Sequence, residues 1–219
     1  MSRTVPTPSR RPRVAPRAPD RYHHGDLRAA LLAAAEQVLQ ERGADGFTLR
    51  ECARRAGVSH AAPAHHFGDA RGLLTAVAAH GFERMAEARA AAADADAALT
   101  GVGLAYVEFA VMHPAQFALM QRTGAIDGQD PDLRQHGAAT YEHLRQTLMA
   151  ANGPRAELAP DFGTRMLLAW AAVHGFAMLA LEGKLCDFAP GASPRKLVQA
   201  LAPAMLERLR GALVVHPPA

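Results

Sequence analysis

The stretch TLRECARRAGVSHAAPAHHFGDARGLL, residues 48–74, constrains the fold more than any other part of the chain. Thr48 and Glu51 stand three residues apart at its start, which is the spacing of a helix-capping box. Gly57-Val58-Ser59 then interrupts the helical pattern, and Ser59 stands where it would cap a second short helix. The stretch therefore predicts two short helices joined by a tight turn.

The rest of the chain also has helical periodicity. Apolar residues recur on one face of a segment that begins near Asp26, a candidate cap, and ends at Gly43. Asp130-Pro131 and Ser193-Pro194 are start signals for two later helices. Pro203 is expected to bend or interrupt the last of these helices. No alternating apolar run predicts a strand, so an all-α fold is expected.

Composition divides the chain into a tail, a head and a body. Residues 1–21 are rich in Arg and Pro with almost nothing apolar, so we expect a disordered basic tail. Residues 1–75 carry 12 Lys and Arg against 7 Asp and Glu, whereas residues 76–219 carry 12 against 14. We therefore predict a three-helix head over residues 22–75 and a helical body over residues 76–219. A basic head on a slightly acidic body is typical of nucleic-acid-binding proteins.

The sequence disfavours an enzyme and a metal site. No glycine-rich phosphate loop and no nucleophile elbow occurs in it. The chain has 11 histidines, but His60, His65 and His66 lack the three- or four-residue spacing with which helical side chains share a metal ion. We expect no catalysis, no metal and no cofactor.

The cysteines and the apolar segments place the chain in a cellular context. Cys52 and Cys186 are isolated from each other and from other ligands, so two reduced thiols are expected. No uninterrupted apolar run reaches the roughly 18–20 residues of a membrane span, and the N-terminus lacks a secretory signal. A cytoplasmic protein without a membrane partner is therefore expected.

The predicted pair of short helices has the features of a DNA-binding element. Thr48 and the free amides that follow it form an anion site, and Arg50 supplies a cation beside it. Ser59, His60 and Ala61 form a narrow helix front that fits a major groove. The alternative is a protein–protein adaptor that uses the two helices for packing alone. The uneven charge favours DNA binding.

Two segments carry a family resemblance. YHHGDLRAALLAAA…GADGFTLRECARRAGVSHAAPAHHF, within residues 22–82, resembles the DNA-binding head of the TetR (tetracycline-repressor-like) family of bacterial transcription regulators. AWAAVHGFAMLALEG is similar to the Trp-x-x-x-His-Gly signature of one class of TetR C-terminal domain, through Trp170, His174 and Gly175. The resemblance implies a homodimer that binds palindromic double-stranded operator DNA, usually as a repressor, and is released by a small apolar effector.

The resemblance also assigns residues. Thr48 and Arg50 would contact phosphate or sugar, and the recognition helix or its DNA-facing rim would carry Ser59, His60, Ala61, Ala64, His65 and His66. Ala64 and Ala70 stand where the family usually has Tyr and Lys, both of which contact the phosphate backbone. Their absence predicts weaker DNA binding by about 1–3 kcal/mol. Arg71 is expected to replace the Lys in part.

The apolar residues of the body are core residues, ligand contacts or dimer contacts. The candidate ligand-binding residues are Tyr106, Phe109, Met112, Phe117, Met120, Trp170, His174 and Met178. His174 either orients the ligand or is a structural histidine beside Gly175, where helices would approach closely. The candidates for the dimer contact are Leu197, Leu201, Leu206 and Leu209, with Leu167 and Leu168 opposite.

Overall fold

The structure is a computed structural model that describes residues 24–92, 98–153, 155–188 and 190–214. Within these residues the all-α fold is confirmed, with no strand, two short 3₁₀ turns and nine α-helices. The helices are α1 (His24–Arg42), α2 (Leu49–Ala56), α3 (Ala62–Phe67), α4 (Ala70–Ala91), α5 (Ala98–Met112), α6 (Pro114–Met120), α7 (Pro131–Asn152), α8 (Phe162–Leu181) and α9 (Pro194–Leu213). The predicted tail, residues 1–21, and the side chain of Asp26 lie outside this description.

Local capping explains where several helices begin and end. The side chains of Asp69, Asp130 and Ser193 each accept a hydrogen bond from the backbone N–H three residues on, at 2.8, 2.9 and 3.4 Å. Gly43 and Gly57 follow the last residues of α1 and α2 with φ of 67°, a conformation that costs glycine little. The predicted caps at Asp130 and Ser193 are therefore confirmed.

Pro203 does not interrupt the last helix, contrary to one of the two predicted outcomes. Helix α9 runs from Pro194 to Leu213 with Pro203 inside it. Proline removes one backbone donor, but this residue lies on the exposed face of α9, where water can satisfy the carbonyl that loses its partner.

Helix α4 joins the head to the body without a break at residue 75. It packs against α1 and α3 of the head and against α5, α6 and α7 of the body. Leu73 and Val77 are fully buried near its start, and Met85 is 1% exposed further along. Its buried face therefore belongs to one apolar core that both parts share.

A partly buried polar network also links α1, α4 and α6. Glu36 Oε1 lies 2.8 Å from His80 Nδ1, and Gln116 Nε2 donates to the backbone carbonyl of Val77 at 2.9 Å. Arg84 Nη1 donates to the second carboxylate oxygen of Glu36 at 3.3 Å. These contacts cross between the head and the body, so neither part rotates freely against the other.

Helix α8 leaves an apolar face uncovered. With 20 residues and a mean hydropathy of 1.4, it is long and apolar enough to cross a membrane, which the search for uninterrupted apolar runs missed. It packs on α5 and α9, but only 28% of its most apolar stretch is buried. Leu167, Leu168 and Leu179 are 61%, 45% and 41% exposed. An exposed patch of this kind is typical of an interaction surface.

The leucines of α9 do not share that exposure. Leu197 and Leu206 are 0% and 2% exposed and belong to the core of their own chain. Leu201 and Leu209 are half-buried against the same core. The prediction that these leucines form the dimer contact is therefore wrong for Leu197 and Leu206. The exposed positions of α9 combine the small residues Ala200, Pro203, Ala204 and Gly211 with charged residues that include Glu207 and Arg208.

Candidate functional site

Helices α2 and α3 form the predicted helix–turn–helix. Helix α2 begins after Thr48 and ends before the Gly57-Val58-Ser59 break, as predicted, and Thr48 Oγ1 accepts a hydrogen bond from the N–H of Glu51 at 3.4 Å. Gly57 adopts the left-handed conformation and its N–H caps the end of α2. Cys52 is buried in α2 and unpaired, and burial raises the pKa of its thiol to about 11.

Helix α3 begins later than predicted. It spans Ala62–Phe67, with Ala61 at its N-cap position and no capping side chain. Ser59 is not the cap, because the backbone carbonyl of Ser59 accepts from the N–H of Ala62 at 3.0 Å and closes a turn before the helix. Pro63 lies in the first turn of α3 and is buried. Turn geometry, rather than the side chain of Ser59, therefore starts this helix.

Most of the candidate DNA-contacting side chains of the head are exposed. Within α2, the turn and α3, the exposed candidates are Thr48, Arg50, Ser59, His60, Ala61, Ala64 and His65. His66 is half-buried, and its ring lies at the edge of His65 with 5.5 Å between centroids. Among the described residues Arg50 has no ion-pair or hydrogen-bond partner, so its guanidinium is available to a phosphate.

An ion cluster fixes α2 against α1. Both carboxylate oxygens of Glu51 accept from Arg54, at 2.8 and 2.9 Å, and one also accepts from Arg55 at 2.9 Å. Arg42 of α1 lies 3.2 Å from the same carboxylate, and Arg55 donates to Glu41 of α1 at 2.7 Å. Hydrogen bonds from Arg54 and then Arg55 lower the pKa of Glu51 to about 2.

Glu51 does not complete the predicted capping box. Its carboxylate oxygens accept hydrogen bonds from arginines, and among the described hydrogen bonds none joins this carboxylate to the N–H of Thr48. The box is therefore half formed. Helix α3 is held from the other side, since the guanidinium of Arg28 in α1 lies 5.6 Å above the ring of Phe67.

The structure directs Arg71 toward the body. Its Nη2 donates to the backbone carbonyl of Ile126 at 3.0 Å, in the loop between α6 and α7. This does not favour the expectation that Arg71 replaces a phosphate-binding lysine. Ala70 is half-buried against the core and Ala64 is exposed on α3.

The α6–α7 loop contacts the head at two further points. The hydroxyl of Thr75, a residue that is 2% exposed, accepts from the N–H of Asp127 at 2.8 Å and donates to the carbonyl of Arg71 at 2.7 Å. Arg122 forms an ion pair with Asp45, between α1 and α2, at 3.0 Å. The loop therefore bridges the start of α4 and the helix–turn–helix.

A cavity of about 260 Å3 lies in the body between α4, α5, α7, α8 and α9. Its walls are mainly apolar, and they include Phe82, Met85, Leu99, Val102, Leu144, Val173 and Leu209. Gln121, at the start of the α6–α7 loop, also lines it. A concave apolar cavity with few polar groups is typical of a small-molecule site.

Two of the eight predicted ligand residues, Tyr106 and Trp170, line this cavity. The other six are not among its lining residues. Phe109, Phe117 and Met120 are buried in the core, Met178 is half-buried against it, and Met112 is 54% exposed on the surface.

His174 lies behind Tyr106 rather than in the cavity. Its Nδ1 is 2.9 Å from the hydroxyl of Tyr106, and Phe117 packs beside both rings. Burial lowers the pKa of His174, so the neutral ring is favoured. A Cβ built on Gly175 meets no atom within 4 Å, so helices of this chain do not approach closely there. The close approach is at Gly103, where a Cβ would lie 2.6 Å from Leu206.

Arg89 is the charged residue among the cavity-lining residues that the sequence did not predict. It is 3% exposed, and its Nη1 donates to the carbonyl of Thr140 at 3.2 Å. Burial lowers the pKa of Arg89 to about 10, so it remains a cation at neutral pH. The available signal was its position, because Phe82, Met85 and Arg89 recur three and four residues apart on the buried face of α4.

The described residues contain no group of three or more His, Cys, Asp or Glu side chains that could hold a metal ion. The head presents an exposed cation and polar side chains, and the body presents an apolar cavity with one buried cation.

Two family models match the chain. Residues 31–77 match the model described as bacterial regulatory proteins, tetR family, and residues 99–205 match the model described as Tetracyclin repressor-like, C-terminal domain. The first range contains α2 and α3, and the second contains most of the cavity walls. No curated protein gives a significant sequence match.

Solved structures have the same fold. A protein of unknown function from Rhodococcus sp. RHA1 is 35% identical, with a TM-score of 0.67 over 88% of this chain and 100% of that chain. A tetR-family regulatory protein from Rhodococcus RHA1 is 19% identical, with a TM-score of 0.58 over 84% and 96%. The TetR-family regulator PfmR from Thermus thermophilus is 17% identical, with a TM-score of 0.59 over 86% and 96%.

The Glu51 cluster predicts a pH-dependent stability. Because the folded state lowers the pKa of Glu51 from 4.5 to about 2, its stabilisation is present above about pH 4.5 and is lost as the pH falls toward 2. Glu51→Gln should therefore lower the thermal midpoint at pH 7, and its difference from the unmodified protein should shrink at pH 3. Thermal unfolding followed by circular dichroism measures both.

Glu83→Gln is the matched control, because Glu83 is exposed and forms no ion pair among the described residues. It should change the thermal midpoint little at either pH. A Glu51→Gln difference that is equally large at pH 7 and pH 3 would contradict the role of the charge.

Proposed function

Because the chain belongs to the TetR family of bacterial transcriptional regulators, we propose that it is a dimeric repressor that leaves palindromic operator DNA when a small, largely apolar molecule fills its cavity. TetR-family regulators are DNA-binding proteins and not enzymes. The observation that carries the proposal is that α4 begins beside the helix–turn–helix and lines the cavity with Phe82, Met85 and Arg89.

The proposed division places the head at residues 22–75 and the body at residues 76–219, with α4 crossing between them. A tail at residues 1–21 would add positive charge near the DNA. The regulator would act in the cytoplasm, where bacterial DNA is located.

The head would bind DNA through α2 and α3. Thr48 and Arg50 stand at the N-terminus of α2, where free amides and a cation favour a phosphate. Ala61, Ala64 and His65 are exposed on or beside α3, and their short or polar side chains would let the helix enter a major groove. The family usually has a Tyr at the position of Ala64 in α3 and a Lys at the position of Ala70 in α4. Because this chain lacks both, its DNA affinity would depend more heavily on Arg50.

The uncovered face of α8 would form the homodimer contact. Leu168, Ala171, Gly175 and Leu179 recur three or four residues apart on one face of α8, and all but the half-buried Gly175 are exposed. Gly175 has no neighbour within 4 Å of a built Cβ, so a second copy of α8 can approach closely there. The exposed small residues of α9 would pack beside it. Two heads would then meet two half-sites of a palindrome.

Release would follow from the two connections between cavity and head. A ligand that contacts Met85 and Arg89 acts on α4, whose first turns hold α3. A ligand beside Gln121 also acts on the loop that carries Arg122 and Asp127 to the head. If the ligand binds more tightly when α4 is tilted differently, ligand binding would favour that tilt. The distance between the two heads of the dimer would then no longer match the distance between the two DNA half-sites.

Arg50 and His60 test the DNA contact. A duplex is first selected by the protein from a random library, and binding is followed by fluorescence anisotropy at several salt concentrations. Arg50→Ala should lower the salt slope by about 1, because one phosphate contact is lost. His60→Ala should cost about 1–3 kcal/mol and relax specificity if it reads a base edge.

Arg134→Ala is the control, since Arg134 is exposed on α7 of the body. It should leave both quantities unchanged. Failure to select any sequence, or unchanged binding in both head variants, would favour the adaptor in which the two helices serve packing alone.

Leu168→Asp tests the dimer contact. It should convert the protein from two chains to one in light scattering, because the contact would have to bury a carboxylate without a partner. Its affinity for the selected palindrome should fall as the half-sites are no longer bound together. Leu158→Asp places the same charge on a residue that is 80% exposed, and should remain dimeric. A dimeric Leu168→Asp protein would contradict the proposed contact.

Thr75→Val tests the loop connection. It leaves the N–H of Asp127 without its acceptor, so the free energy of unfolding should fall by about 1–3 kcal/mol. In hydrogen exchange, DNA binding should slow the amides of residues 121–130 in the unmodified protein, and this protection should be lost in the variant. Thr147→Val, at a buried position of α7, is the matched control. Unchanged loop exchange on DNA binding would contradict the connection.

A further inference from the structure

We propose that the effector of this cavity is a small organic monoanion, a carboxylate on an apolar body, and that Arg89 is the residue that binds its charged group. The inference rests on the proposed function, because it names the chemical class of the ligand that the body cavity takes.

The geometry leaves Arg89 without a counter-ion. It lines the cavity and is 97% buried, with 3% of its surface exposed. No carboxylate of the described residues lies within ion-pair distance of it. One of its five N–H donors reaches the carbonyl of Thr140, and its buried Nε has no partner. A buried cation with free donors favours an anion that the chain itself does not supply.

Other enclosed arginines of the chain are paired. Arg165 is 8% exposed, and although its Nε also lacks a partner, its Nη2 donates to the carboxylate of Asp161 at 2.8 Å. Arg55, half-buried, binds two carboxylates in the head. Each of these two arginines therefore has a carboxylate partner within the chain. Arg89 differs from both, and it alone of the three lines the cavity.

The surroundings of Arg89 select a single negative charge. Burial lowers the pKa of His143, and the charge of Arg89 lowers it further, so no second cation is favoured beside it. Tyr106 also lines the cavity, its hydroxyl contacts His174, and burial raises its pKa to about 12 against the opposing effect of Arg89. Tyr106 therefore stays protonated and offers a neutral polar group near the cation.

The size and walls of the cavity select the rest of the ligand. At about 260 Å3 it lies just below the roughly 300–1,000 Å3 of pockets that hold drug-sized ligands. Its walls are mainly aliphatic and aromatic. A medium-chain or single-ring carboxylic acid meets both limits, and a bidentate guanidinium–carboxylate contact would satisfy the free donors of Arg89.

The test is a fluorescence titration without DNA. Trp170 lines the cavity and is the single tryptophan of the chain, so its emission reports occupancy. The probes are octanoate and 4-phenylbutanoate, each compared with its neutral amide. At least one acid should bind at least about tenfold tighter than its amide. Arg89→Met should abolish this preference, and Arg89→Lys should keep part of it because it retains the charge without the planar fork.

Two controls separate the role of Arg89 from charge and stability. Arg134→Met removes the same charge from the surface and should leave the acid preference intact. Arg89→Met should have a thermal midpoint no lower than that of the unmodified protein, since it removes an unpaired buried charge. Should it fail to fold, Arg89→Lys carries the test, and a full acid preference in that variant would overturn the bidentate contact.

The inference is overturned if neither acid binds, if acids bind no tighter than amides, or if the preference survives Arg89→Met. The inference is also overturned if only the double variant Asp94→Asn, Asp96→Asn prefers the acids to the amides. That result would mean that a carboxylate of the chain itself pairs with Arg89 in the unmodified protein. Anisotropy on operator DNA is measured separately. Acid binding without DNA release supports the ligand class and contradicts the release mechanism, whereas DNA binding without acid binding retains the regulator and overturns this inference.

Discussion

The continuity of α4 is the constraint on which the rest of the structure depends. Its first turns hold α3 through the shared core around Leu73, and its later turns form a wall of the body cavity through Met85 and Arg89. A helix is stiff along its axis because each turn is hydrogen-bonded to the next. In the proposed mechanism, a change at the cavity would displace the whole of α4, including the turns that hold α3.

A second connection prevents α4 from moving alone. Glu36, His80 and Gln116 join α1, α4 and α6, and the loop after α6 returns to the head at Thr75 and Asp45. The exposed ion pair of Arg122 and Asp45 contributes at most about 1 kcal/mol, whereas leaving the N–H of Asp127 without the buried hydroxyl of Thr75 would cost about 1–3 kcal/mol. The hydroxyl is therefore the stronger connection.

The arginines of this chain show how one residue type serves different ends. In the head, Arg42, Arg54 and Arg55 surround Glu51, and the pair of Arg42 with Glu51 links α1 to α2. Arg50 stands one residue away on the outer face and is unpaired among the described residues. Arg89 is also without an acid, but it is buried, where an uncompensated charge costs several kcal/mol. Such a cost is typical of a functional site rather than of a structural one.

Local signals in the sequence determined the helix bounds and the family. Thr48, Asp130 and Ser193 cap helices through contacts three residues away, and Gly57 ends α2 by its own conformation, so these features need no tertiary information. The head motif could likewise be read from spacing. Ser59 was misplaced because backbone turn geometry, rather than a side chain, starts α3. Only the tertiary structure decided which face of each helix is covered. It buried Leu197 and Leu206, exposed Leu168, moved Phe117 and His174 behind the cavity wall, and enclosed Arg89, since burial depends on neighbours that are distant in sequence.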